Sequence, residues 1–210
     1  STAPRATWLA NAGDVLLRLW DAHGKEEDLE RGLARLQRSR ALFRSLGLHP
    51  KARARAAEIA LAEARAGRID AARASLGDLD ETDVHGAARG VPTLARARIL
   101  LAEGRVERAR SLLEQLMRSR PGGWDALAGA IDIDARALLA RAHRRQGDLE
   151  AASEALSAAL AAAHARARRT DLSAAPAAAL ARHDRLRRET VAALVRAGRI
   201  EAAFALDDQH

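Results

Sequence analysis

Gly67-Arg68-Ile69-Asp70-Ala71-Ala72 is the first of four copies of one six-residue motif: a glycine, any residue, an aliphatic residue, an acid, any residue and an alanine. The other copies begin at Gly104, Gly147 and Gly198, and a stretched copy runs from Gly24 to Gly32. Helix-forming segments flank every copy, so each motif is predicted to be the bend of a helical hairpin. Because the hairpin repeats, the chain is predicted to be a solenoid, a class of protein that usually binds partners.

Composition favours helices over strands along the whole chain. Apolar residues make up 48% of the sequence, but many are alanine, and aromatic residues contribute only 2%. Strands prefer β-branched and aromatic residues, and no segment alternates apolar and polar residues for long enough to read as a strand. The sequence therefore predicts an all-α solenoid of about five hairpins, forming a single domain over residues 1–210. The predicted hairpins cover about residues 6–46, 50–76, 92–120, 124–169 and 174–206.

Small residues recur at fixed distances from the bend glycines. Five positions after the glycine stand Ala72, Ala109, Ala152 and Ala203, with Gly32 in the stretched copy, and seven positions before it stand Ala60, Ala97 and Ala140. Leu76, Leu113 and Leu156 follow nine positions after the glycine. We expect the small side chains to let the two helices of a hairpin approach closely, and the leucines to point into the same seam. The aliphatic residue at the bend is predicted to fill it, and Trp8, Trp20 and Phe43 are predicted to pack the first hairpin.

Several classes of site are not predicted. The chain has no cysteine, which excludes disulfides, thiolate metal sites and a cysteine nucleophile within it. The histidines are scattered, and the acidic cluster of Asp80, Glu81, Asp83 and His85 reads as a solvated loop more readily than as a metal site. We therefore expect no enzyme activity and no cofactor. No uncharged apolar run approaches 18 residues, so no membrane partner is predicted, and the cytoplasm is the default compartment.

The positive charge is concentrated towards the C-terminal side of the chain. The net charge is +7, and residues 136–199 hold 13 arginines against 6 acids. A basic half could attract nucleic acid, but residues 125–203 contain no phenylalanine, tyrosine or tryptophan on which bases would stack. Nucleic acid is therefore the less favoured partner. A guanidinium pairs well with carboxylate or phosphate, so an acidic or phosphorylated guest fits this region better.

The bend motif, with a small residue seven positions before it, resembles the tetratricopeptide repeat (TPR), and the resemblance covers nearly the whole chain. It implies a right-handed α-solenoid that binds proteins or peptides. The bend glycines are 43, 37, 43 and 51 residues apart, whereas the family repeat has about 34 residues. The copies are therefore lengthened, and the tryptophan that the family places near the start of the first helix is absent.

Two segments resemble a more specific bacterial type. Residues 8–20, followed by Gly24 and the acidic segment 28–31, are similar to the TPR variant that often precedes a caspase-like CHAT domain, and residues 201–206 resemble the helix that leads into such domains. The resemblance implies the sensor or scaffold region of a larger bacterial protein. A ligand-responsive arm of a MalT/LuxR-type transcription regulator is the alternative.

In the TPR family, the first helix of each hairpin lines a concave binding face. By this resemblance, the partner-binding residues are predicted to be Asn11, Asp14, Arg18, Asp21, Arg65, Arg98, Arg141, Arg144, Arg145, Arg185, Arg188 and Arg196. The expected partner is an acidic or phosphorylated protein or peptide, or an adjoining effector domain. The other interpretation of these residues is an ordinary solvated helix face.

Overall fold

The computed structural model describes residues 2–77, 79, 90–119, 126–169 and 176–207, and within these ranges only the backbone of residues 126–128, 167–169, 176–183 and 207. Every regular element in these ranges is an α-helix, which confirms the predicted all-α class. The right-handed course of the whole chain stays a prediction. The acidic loop residues Asp80, Glu81, Asp83 and His85 lie outside the described residues, as does Trp124.

The described helices divide between two compact units, Ser1–Ala102 and Glu103–His210. The first unit holds α1 (Thr2–His23), α2 (Glu26–Ser45), α3 (His49–Arg65), α4 (Ile69–Leu76) and α5 (Gly90–Ala102). The second holds α6 (Val106–Arg118), α7 (Ala126–Arg145), α8 (Leu149–Arg169), α9 (Pro176–Arg196) and α10 (Ile200–Asp207). The helices lie within or close to the segments predicted for them, but their first residues are predicted less well. For example, α1 begins at Thr2 instead of near Ala6, because a proline such as Pro4 is tolerated in the first turn of a helix.

The first unit is built from helices that pack on their neighbours in the chain. Helix α1 packs along α2, α2 against α3, and α3 against both α4 and α5. Leu29, Leu36 and Ile59 are almost completely buried at the centre of this packing. Burial of such side chains stabilises the fold by about 1.5–3 kcal/mol each, so these apolar seams hold the hairpins together.

The second unit repeats this arrangement. Helix α6 packs against α7, α7 along α8, α8 against α9, and α9 against α10. Ile133, Leu156, Leu160 and Leu186 form its buried core together with alanines of α7, α8 and α9. The second helix of one hairpin thus packs on the first helix of the next, which is how a repeat array buries its apolar faces.

The bend glycines adopt the left-handed backbone conformation that the motif requires. Gly67 has φ +78° and Gly147 has φ +80°, values that a residue with a Cβ rarely adopts. The next N–H then bonds back to the carbonyl five residues earlier, from Arg68 to Glu63 (2.9 Å) and from Asp148 to His143 (3.0 Å). These bonds satisfy carbonyls at the helix ends in the Schellman manner, so the glycine terminates one helix and directs the chain into the next.

The recurring small residues and leucines are buried, as predicted. Their exposed fraction is 7% or less at Ala60, Ala72, Leu76, Ala97, Ala109, Leu113, Ala140, Ala152, Leu156 and Ala203. Two other predictions are wrong. Trp8 does not pack inside the first hairpin but is 62% exposed, with the Arg35 guanidinium 5.9 Å from its ring centre. Ile200 does not fill its bend, since it is 45% exposed.

Candidate partner-binding surfaces

In the first unit, two of the predicted residues form an ion pair between neighbouring hairpins. The Arg65 guanidinium on α3 donates a hydrogen bond to the Asp21 carboxylate on α1 over 2.9 Å. Both side chains are largely buried, with exposed fractions of 20% and 33%. A short, shielded contact of this kind holds its partners in place, so Arg65 and Asp21 join α1 to α3.

Asp14 and Arg18 lie one turn apart on α1 and form a second ion pair. Asp14 also acts on Glu58 of α3, a half-buried residue whose carboxylate contacts Arg55 at 2.7 Å. Burial raises the pKa of Glu58 to about 7; Arg55 lowers this pKa, and the negative charge of Asp14 raises it. The predicted set omits Glu58, although it lies seven residues before Arg65 and therefore on the same side of α3.

The second unit has a small open hollow between three of its helices. Helix α7 contributes Ala137, Ala140, Arg141 and Arg144, α8 contributes Ala152 and Leu156, and α9 contributes Glu189 and Ala193. We call this set the Arg141 hollow. It offers about 20 Å³ of water-accessible space, roughly the room for one water molecule. Its alanine and leucine side chains form an apolar floor, and its rim carries two guanidinium groups and one carboxylate. The space is too small for a whole side chain, so an acidic group would contact the rim from outside.

The two guanidinium groups at the rim differ in their contacts. Arg141 lies 3.6 Å from the Glu189 carboxylate, and the exposed fractions of the two side chains are 43% and 35%. Arg144 is exposed and has no ion-pair partner among the residues the structure describes. Ion pairs between half-exposed groups contribute about 0–1 kcal/mol. The rim is therefore charged but loosely organised.

The remaining predicted residues lie on α1, α5, α7 and α9. Asn11, Arg145, Arg185, Arg188 and Arg196 are exposed, and Arg98 is half-buried on α5. Arg185 and Arg196 lie four residues before and seven residues after Glu189, so the three share one side of α9. Arg188 bonds back to the Asp184 carbonyl within its own helix at 3.4 Å. That the twelve residues line a concave face stays a prediction.

A second kind of polar contact was not predicted from the sequence. Arg68, beside the Gly67 bend, forms ion pairs with Glu26 and Glu30 in the first turns of α2. In the second unit, Gln146, beside the Gly147 bend, bonds with Glu107 and Arg110 in the first turns of α6. In both cases a polar side chain beside the bend bonds to the second helix of the preceding hairpin. We call these contacts the bend clasps, and they are structural because they join elements that already pack together.

Nothing in the described ranges points to a metal centre, since no three histidine, aspartate or glutamate side chains come close enough there to share an ion. Nor does any of the described helices combine the length and the apolarity that a membrane crossing needs.

Comparison with known families supports the repeat architecture. Residues 100–175 match the tetratricopeptide repeat family model. The matched segment includes the bends at Gly104 and Gly147 and runs from the end of α5 through α8. The chain has no match among curated proteins or solved structures. Repeats of this family mediate protein–protein binding and are generally non-catalytic, so a protein-interaction module is the function that the match indicates.

Proposed function

We propose that this chain is the non-catalytic sensor or scaffold region of a larger cytoplasmic bacterial protein, one that carries a caspase-like CHAT protease domain. The observation that carries the binding role is the Arg141 hollow. Both of its arginines and its α8 floor residues lie within the segment that matches the tetratricopeptide repeat. Two guanidinium groups beside an apolar floor are more typical of a surface that binds a protein partner than of a catalytic site.

The guest that fits this hollow is an acidic or phosphorylated peptide, or an acidic surface of an adjoining effector domain. Guanidinium groups bind carboxylate and phosphate through two parallel hydrogen bonds. Arg144 has no ion-pair partner among the residues in the described ranges, and Arg141 has only a loose contact. Either guanidinium can therefore engage a guest with little rearrangement of the helices.

The action of the guest is positional. Each hairpin packs mainly on its neighbours, so a guest held across α7, α8 and α9 stabilises one arrangement of these helices over others. An effector domain attached to the repeats would then be held more often in the position that this arrangement of the helices gives it. A DNA-binding domain encoded in the same gene product, in place of a protease domain, would contradict the CHAT assignment and leave the binding role intact.

The test of the binding role is the double substitution Arg141→Ala/Arg144→Ala. The probe is an oligoglutamate peptide with a neutral dye, followed by fluorescence anisotropy at fixed salt. Loss of two charge-assisted contacts is expected to weaken binding by at least about tenfold, with helicity by circular dichroism unchanged because both side chains reach solvent.

The matched control is Arg118→Ala/Arg199→Ala, which removes the same charge from exposed positions outside the hollow. Equal weakening in both double variants would mean that only the net charge matters, and the hollow would not be the site. Binding that falls steeply with salt and extends equally to single-stranded nucleic acid would instead favour a nucleic-acid function.

A further inference from the structure

We propose that Glu189 is an internal stand-in for the guest: its carboxylate occupies the Arg141 guanidinium until an acidic group of the partner displaces it. This inference rests on the proposed function and deepens it, because it assigns the residue that lowers the affinity of the hollow for acidic guests. A guest without an acidic group leaves the Arg141–Glu189 contact in place and gains little from the hollow.

The geometry of two comparable ion pairs supports this role. Arg65 and Asp21 join first helices of neighbouring hairpins in the first unit, and they do so over 2.9 Å with a hydrogen bond. Arg141 and Glu189 also join first helices, α7 and α9, but their closest nitrogen and oxygen are 3.6 Å apart, which is too long for a hydrogen bond. The second pair is also more exposed. The contact in the hollow is therefore the one that a competing anion can replace at low cost.

Glu189 is the single acid of the rim among the residues that the structure describes. Helix α7 contributes the two arginines and α8 contributes only Ala152 and Leu156. Arg185 and Arg196 share the Glu189 side of α9 by helical spacing. An incoming carboxylate or phosphate is thus attracted by the arginines, and Glu189 is the rim residue that repels it. Removing the charge of Glu189 removes both the repulsion and the competition for Arg141.

The floor defines the rest of the guest. Ala137, Ala140, Ala152 and Ala193 leave a shallow apolar surface, to which Leu156 contributes. A partner segment that places a small apolar side chain next to its acidic group would cover this surface while its acid contacts Arg141 and Arg144. A segment of acids alone would use only the rim.

The experiment compares Glu189→Gln with Glu154→Gln, using the same neutral-dye oligoglutamate peptide and an oligoglutamine peptide as the uncharged control. Glutamine has nearly the size of glutamate, so the α7–α9 packing is retained. Glu154 is an exposed residue of α8 outside the hollow, and its substitution changes the net charge by the same amount. Glu189→Gln is expected to tighten oligoglutamate binding about fivefold, in line with interactions of half-exposed charges, while Glu154→Gln changes it less than twofold. Oligoglutamine binding is expected to stay unchanged.

The outcomes separate this inference from the proposed function. If the wild-type chain binds oligoglutamate through Arg141 and Arg144 but Glu189→Gln binds no more tightly than Glu154→Gln, Glu189 is only a structural ion-pair partner and the inference is wrong. If neither the wild-type chain nor Glu189→Gln binds the peptide, the proposed binding role of the Arg141 hollow is overturned. Binding by Glu189→Gln alone would support the stand-in role most directly.

Discussion

Glu58 shows how a single residue links the fold to pH. It lies half-buried on α3, and burial raises its pKa from 4.5 to about 7 despite the Arg55 guanidinium 2.7 Å away. A carboxyl group with a raised pKa in the folded state binds its proton more readily there than in the unfolded chain. Its contribution to stability is therefore largest at low pH and is lost as the pH rises from about 4.5 to about 7. Glu63, buried on the same helix with its pKa also raised by burial, acts in the same direction.

Replacing Glu58 with glutamine is expected to abolish most of this pH dependence. The free energy of unfolding of the wild-type chain should fall by roughly 1–3 kcal/mol between about pH 5 and pH 8 on account of Glu58, and Glu58→Gln should be the more stable protein at pH 8. Urea unfolding followed by circular dichroism measures the difference at each pH. Glu27→Gln, at an exposed position on α2, controls for the change in net charge. Parallel curves for the wild type and Glu58→Gln would show that Glu58 keeps its charge at no cost in the folded state.

At the scale of elements, the closest approach of α1 and α2 depends on two glycines that face each other. A Cβ on Gly32 would lie 2.9 Å from a Leu17 methyl carbon and 3.2 Å from the Gly13 carbonyl oxygen, and one on Gly13 would lie 3.0 Å from Leu36. Neither glycine has a positive φ, so the constraint is packing and not backbone conformation. The two helices cross where neither has a side chain, and this crossing fixes their separation.

Gly32→Ala is expected to destabilise the protein by up to about 2 kcal/mol, because overpacking costs about 1–3 kcal/mol and the gain in helix propensity offsets about 1 kcal/mol of it. Thermal unfolding of the single variants Gly32→Ala and Leu17→Ala and of their combination measures the coupling. Since Leu17 is the nearest obstacle, the double variant should lose less stability than the two single variants together. Full additivity would locate the strain elsewhere, and a more stable Gly32→Ala would mean that α1 and α2 can separate freely.

Elements also show which features the sequence allows one to predict. The bend glycines, Ala72 and Leu113 were predictable because each recurs at a fixed distance within one hairpin, and the structure buries the alanine and the leucine as expected. Trp8 was predicted wrongly because an aromatic side chain on a helix does not reveal which of its sides meets another helix. Glu189 was missed because its importance comes from Arg141 on another helix, 48 residues earlier. Helical spacing places Glu189 beside Arg185 and Arg196 on α9, so the spacing that selects Asp14 and Asp21 on α1 could also have selected Glu189.

At the scale of the whole molecule, the division into two compact units predicts where a guest is felt. Ligand binding stabilises the folded state by mass action, by about 2.7 kcal/mol when the free ligand is at a hundred times Kd. Amide hydrogen exchange slows by the corresponding factor in every segment that must unfold together with the binding site. The Arg141 hollow lies wholly within the unit Glu103–His210. Saturating oligoglutamate is therefore expected to slow amide exchange in α7, α8 and α9 and to leave α1–α4 unchanged, and Arg141→Ala/Arg144→Ala should remove the effect. In a repeat protein, a local stabilisation reaches distant repeats only if the interfaces between them are strong enough to make them open together. Equal protection of both units would therefore mean that the chain opens as one cooperative array.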